Sequence, residues 1–189
     1  MVPVNSSGLS LSPMANTESL RDLQERLDNR LRSANTDVLS VSWLAIRSPE
    51  HNYLLPLGQL GEVFPMADFQ PVPYTAVWFL GVVNLRGGLF GMIDLDQFIN
   101  ARDVPSQSVQ PGRGSNLVTL NSLLEVNCAL CVDGLAGLRN TGSFAAVAPS
   151  IEGAPAYFGT RFEDEAGAHW QEINLQTMSR SAEFLTISA

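Results

Sequence analysis

WFLGVVNLRGGLFGMIDL, residues 78–95, sets two apolar runs on either side of Arg86-Gly87-Gly88. FLGVVNL and LFGMIDL are short and carry apolar groups on both faces, the pattern of strands packed between two layers. Gly87-Gly88 tolerates positive φ, so the stretch predicts a tight hairpin at 86–88. Gly81 and Gly91 mark bulges or close packing. Asp94 ends the second strand, where its carboxylate caps the helical turn expected over LDQFIN by accepting a backbone N–H. Arg86 has two readings. It is a turn residue folded back on an acid such as Asp94 or Glu62, or an arginine presented at a hairpin tip with an apolar rim. Arginine in the second position suits a protein partner, because it is enriched among interface hot spots.

Working outward, the texture from residue 38 is β. VLSVSWLAI, YLLPL and the two runs above are separated by Gly, Pro, Asn and Asp, which predicts a small barrel or sandwich. ARDVPSQSVQPGRGS, residues 101–115, reads as a linker or long loop. β texture resumes with NLVTLNSLLEVNCALCVDGLAGL and AYFGTRFEDEAGAHWQEINL, in which EDEAG is a hairpin tip. The expected division is a disordered tail plus amphipathic helix over 1–36, one β module over 37–100, and a second over 116–189. Leu20, Leu23, Leu27, Leu31 and Ala34 form the apolar stripe of that helix, which either packs on its own domain or docks a partner, a second copy included.

The two β-rich halves resemble each other. Asn52, Leu55 and Leu60 overlay Asn127, Leu130 and Leu135, and Ile93-Asp94-Leu95 overlays Ile173-Asn174-Leu175. Gly81 is set over Gly159, and Gly87 over Gly167 with two residues inserted at the turn. Each half runs strand, turn-rich approach, strand, hairpin, strand and helical turn, which predicts an internal duplication.

The net charge of -8, with every basic residue an arginine, argues against nucleic-acid binding and against a bare anionic membrane surface. No apolar run is long enough for a membrane span. MVPVNSSGLSLSPMAN lacks the basic start and apolar block of a signal peptide, so a cytoplasmic protein is the expectation. Cys128 and Cys131 match C-x-x-C, but in a strand residues three apart point to opposite faces, which reads as core rather than a redox pair. His51 and His169 have no second ligand at metal spacing. Glu163-Asp164-Glu165 sits in a solvated turn, far from the burial that catalytic carboxylates need. No P-loop or nucleophile elbow is present. The inventory points away from an enzyme, and no cofactor is expected.

The central stretch resembles the signature of the CheW family of chemotaxis coupling proteins. Gly81, Val83, Asn84, Arg86, Gly87, Leu89, Ile93, Asp94 and Leu95 match it, while Gly91 and Met92 stand where the family has proline and valine or isoleucine. The N-terminal helix and the ending WQEINLQTMSRSAEFLTI are similar to CheW-like adaptors of pilus-based twitching systems. The resemblance implies a mainly β fold, with two five-stranded SH3-like barrels packed around a shared hydrophobic core. It also implies a non-enzymatic bridge between the regulatory domain of a CheA-type histidine kinase and the cytoplasmic tips of methyl-accepting chemoreceptors, recruited to membrane-associated arrays. By that match Arg86 is the leading partner-binding residue and Asn84 and Gly87 shape its loop, with Gly88 and Asp94 as turn and cap. Two alternatives are a regulator of another two-component cascade and a small-ligand-binding barrel.

Overall fold

The computed structural model describes residues 42–49, 51–100, 115–149 and 151–188. The helix expected over 17–34 and most of the expected linker lie outside them. In the first half, β1 (Ser42–Arg47) and β2 (Asn52–Pro56) form a hairpin, followed by β3 (Leu60–Pro65) and the short β4 (Phe69–Gln70). A second hairpin, β5 (Phe79–Leu85) and β6 (Gly88–Asp94), leads into α1 (Leu95–Asn100). The second half repeats the order: β7 (Asn116–Leu120), β8 (Cys128–Val132), β9 (Gly134–Asn140) and β10 (Ala146–Ala148), then β11 (Phe158–Glu163) and β12 (His169–Ile173). Two short helices follow, α2 (Leu175–Ser179) and α3 (Ala182–Leu185).

The strands form two six-stranded sheets, in the orders β10-β11-β12-β2-β1-β9 and β3-β7-β8-β6-β5-β4. Exchanging each strand for the one six places along converts one order into the other. The halves are therefore topological copies, but the sheets are not the halves. Hairpin β1–β2 joins the first sheet through a parallel pair with β12, and β7–β8 joins the second through a parallel pair with β6. Each sheet borrows a hairpin from the other half, so the two sheets do not coincide with the segments 37–100 and 116–189.

Register follows the same duplication. In the parallel pairs, Gln171 faces Tyr53 and Gly91 faces Cys128, then Glu172 faces Leu54 and Met92 faces Ala129. These are equivalent positions in the overlay of Asn52 on Asn127 and Ile93 on Ile173. One match slips by a residue. Phe79 faces Ile93 and Phe158 faces Ile173, so Gly159 falls on Leu80 rather than on Gly81. Both strands bulge there, and the halves stay in step across the bulge, with Val82 facing Gly91 and Arg161 facing Gln171, so the turn holds one inserted residue rather than two. The caps repeat as well: Gln97 N–H donates to Asp94 at 3.0 Å and Thr177 N–H donates to Asn174 at 3.0 Å.

Why the strands do not alternate apolar and polar is explained by what lies on each face. In β8, Cys128, Leu130 and Val132 enter the large core shared by the sheets, while Ala129 and Cys131 face a smaller core inside the second sheet. In β1, Leu44 and Ile46 enter the shared core, while Trp43 and Ala45 join Leu54, Phe162 and Trp170 inside the first sheet. The small cluster of the second sheet includes Phe64 of β3 and Phe69 of β4, the two edge strands. Each sheet therefore rolls around its own core. Among the described residues no ladder joins the edges, so two rolled six-stranded sheets stand where two five-stranded SH3-like barrels were expected.

Candidate functional site: the hairpin tip at Arg86

Leu85 pairs with Gly88, leaving Arg86-Gly87 as a two-residue turn with φ of 50° and 85°. Left-handed conformation at both positions is the type I′ turn, whose twist matches the strands it joins. Gly88 is thus a strand residue, and the second left-handed position expected of it belongs to Arg86. Asn84 fixes the loop by accepting the Gly87 N–H at 2.9 Å. Leu89, opposite Asn84, is 64 % exposed.

Arg86 Nη1 lies 2.5 Å from Glu62 Oε2, and its guanidinium carbon is 5.4 Å from the centre of the Phe64 ring. Both partners sit on β3, three to four strand spacings away, roughly 14–19 Å on a flat sheet. Only the rolling of the sheet brings them together. Of the two acids named as possible partners, Glu62 is the one used, while Asp94 faces α1. The side chains of Arg86 and Glu62 are 74 % and 58 % exposed. An ion pair so wet contributes about 0–1 kcal/mol.

Asp94 is half-buried. Burial pushes its carboxyl above the ordinary aspartate range, the Gln97 N–H opposes the shift, and the charges of Asp133 and Asp96 reinforce it. The equivalent tip of the other hairpin carries the opposite sign. There Asp164 accepts from the Trp170 indole N–H at 2.9 Å and from the Ala168 N–H at 2.9 Å. These bonds, with Arg139 nearby, hold its carboxyl below the usual range. Arg139 lies on β9, the counterpart of β3, and packs 5.2 Å from the Trp170 ring.

Cys128 and Cys131 are free, buried, and belong to different cores on opposite faces of β8. Burial pushes both thiols up to about 12. Among the described residues, no group of His, Cys, Asp and Glu is placed to hold a metal. His51 stands exposed after β1 and His169 opens β12, beside Trp170 as the sequence indicates. Sequence reasoning did not find that these two histidines share one groove, because residues far apart in the chain become neighbours only through the β2–β12 pair.

A duplicated pair of rolled sheets with an exposed N-x-R-G hairpin is the arrangement of a CheW-like domain. The chain belongs to that family, whose model matches residues 42–166. It is similar to Protein PilI of Pseudomonas aeruginosa (strain PAO1), with 28% identity over 131 residues, 68% of this chain and 70% of PilI. Its fold is similar to that of the scaffolding protein TtCheW from Thermoanaerobacter tengcongensis, with TM-score 0.60 and 17% identity over 77% of this chain and 96% of that one.

Proposed function

We propose that this protein is a non-enzymatic adaptor. It couples methyl-accepting chemoreceptors to the regulatory domain of a CheA-type histidine kinase, in a chemosensory system that controls type IV pili and twitching. Family membership supports the adaptor role, and the similarity to PilI supports the pilus pathway. Among the described residues no helix is long and apolar enough to cross a membrane. The protein works in the cytoplasm and is recruited to receptor arrays through its partners.

One observation carries the choice of Arg86 as the contact residue. The first position of a type I′ turn favours asparagine, aspartate or glycine, and arginine there bears the steric cost of left-handed backbone. The exposed ion pair to Glu62 offsets little of that cost. A locally disfavoured residue held out in solvent is retained for something outside the fold, and a partner surface is the reading we adopt. Asn84 and Gly87 act by fixing the loop that presents it.

The test is calorimetric titration of the cognate kinase regulatory domain with the full chain. A dissociation constant in the micromolar range or tighter is expected. Absence of binding with both proteins folded would overturn the adaptor reading.

A further inference from the structure

A groove of about 570 Å³ opens on the first sheet, bounded by the β1–β2 turn, the end of α1, the 151–155 stretch and the β11–β12 hairpin. Its floor is apolar, formed by Tyr53, Ile99 and Phe158. Tyr53 and Ile99 are buried, and Phe158 packs against the shared core. The His51 ring lies 6.1 Å from the Tyr53 ring and nearly parallel to it. On the opposite wall, the Asn52 side chain donates to the His169 carbonyl at 3.2 Å, which ties the start of β12 to β2. Arg161 faces Gln171 across β11–β12, so Arg161 and His169 are diagonal neighbours on one face, roughly 7–8 Å apart at the backbone.

The chain carries -8 overall and has two histidines, and both line this groove together with Arg161. Arg86 is committed to Glu62, and Arg139 to Trp170. Arg161 is half-buried and has no carboxylate within ion-pair distance among the described residues. Two acids lie near it, the exposed Glu152 on the groove wall and Glu163 opposite His169. The amides that line the groove are already used. Asn100 donates to the Tyr53 hydroxyl and to Asp96, and Gln171 donates to the carbonyls of Gly159 and Glu172. The donors left facing the space are a guanidinium and two imidazoles above an aromatic floor.

We infer that this groove is a binding site for a small organic anion with an aromatic body. Its carboxylate or phosphate sits between Arg161 and His169, and its body lies over the half-buried Phe158 beside His51. The volume falls within the range of small-molecule sites, which combine an apolar lining with a few polar groups that set orientation. A planar guanidinium matches a carboxylate or phosphate with two parallel hydrogen bonds. The site lies away from the Arg86 tip and does not depend on partner binding there.

The experiment is an amide NMR titration of the isotope-labelled full chain with naphthoate, naphthyl phosphate, neutral naphthylmethanol and inorganic phosphate. Both aromatic anions are expected to shift residues 51–53, 158–161 and 169–171 saturably, with a dissociation constant of about 1 mM or tighter for ligands of this size. Whichever anion binds more tightly identifies the head group. Naphthylmethanol and inorganic phosphate should each bind about tenfold more weakly, one lacking the charge and the other the body. Arg161→Gln should weaken the anions about tenfold and leave the alcohol unchanged. His169→Gln provides the same comparison if the first variant fails to fold, and Arg139→Gln should bind like the parent protein. Equal affinity for anion and alcohol, shifts confined to other surfaces, or unchanged anion binding in a folded Arg161→Gln or His169→Gln variant would each overturn the inference.

Discussion

Replacing Arg86 by asparagine separates what this residue does for the fold from what it does for a partner. The change removes the guanidinium but suits the turn, because asparagine tolerates the left-handed backbone that Arg86 adopts at φ 50°. Left-handed backbone costs an ordinary residue about 1–2 kcal/mol, of which asparagine recovers a part. Against that gain stand the ion pair to Glu62, about 0–1 kcal/mol at this exposure, and the contact with Phe64, about 0.5–1 kcal/mol at an exposed site. The terms nearly cancel, so folding stability in urea should lie within about 1 kcal/mol of the parent protein. Binding to the kinase regulatory domain should fall by about 2 kcal/mol or more, roughly thirtyfold. A double-mutant cycle with Glu62→Gln should give a folding coupling of about 1 kcal/mol or less. A stability loss above about 2 kcal/mol would make Arg86 a structural brace and refute the strain argument. Unchanged kinase affinity in the folded variant would remove it from the interface.

Three further outcomes test the fold. Gly81 has φ 143°, and a Cβ there would lie 2.2 Å from the Gln70 carbonyl oxygen and 2.8 Å from Pro71 Cα. Gly81→Ala should therefore push β4 off β5 and cost about 3 kcal/mol in denaturant unfolding. A loss below about 1 kcal/mol would show that β4 moves freely. For Asp94 the folded pKa lies above the unfolded one, so the charged form is penalised in the fold. That penalty is absent at pH values well below the ordinary aspartate value of about 4, grows as pH rises through the raised value, and is complete at neutral pH. Asp94→Asn keeps the acceptor, as Asn174 does in the other half, and should be at least as stable as the parent at pH 7 with no advantage in strong acid. Asp94→Ala loses the cap and should cost about 1 kcal/mol. Finally, with both thiols pushed up to about 12, only about one in ten thousand is ionised at pH 8. Ellman's reagent should label Cys128 and Cys131 rapidly in denaturant and very slowly in the native chain. Fast native labelling would contradict the burial of β8.

Gly91, where the chain departs from its family's proline, has a physical account. Its N–H donates to the Asn127 carbonyl at 2.9 Å, a bond proline cannot make. A Cβ there would lie 3.0 Å from the Phe79 ring, so the glycine lets that ring lie over β6. The two cysteines were legible for a related reason. Strand periodicity alone separates residues three apart, and the structure puts them in different cores.

The sequence by itself determined the features settled within a few residues of chain: the hairpin in NLRGG, the cap at Asp94, and the repeating order of the two halves. Each depends on turn geometry, capping chemistry or side-chain period. These act before any long-range contact forms, so the local letters suffice. The tertiary structure decided which sheet each hairpin joins, that β1, β2, β7 and β8 are buried on both faces, and that Arg86 meets Glu62 rather than Asp94. It also brought His51, Arg161 and His169 to one groove. Those outcomes depend on ladders such as β2–β12 and on how tightly each sheet rolls around its core. Ladder bonds are chemically alike from strand to strand, so the pairing is selected by the burial of whole faces, which only the assembled core defines.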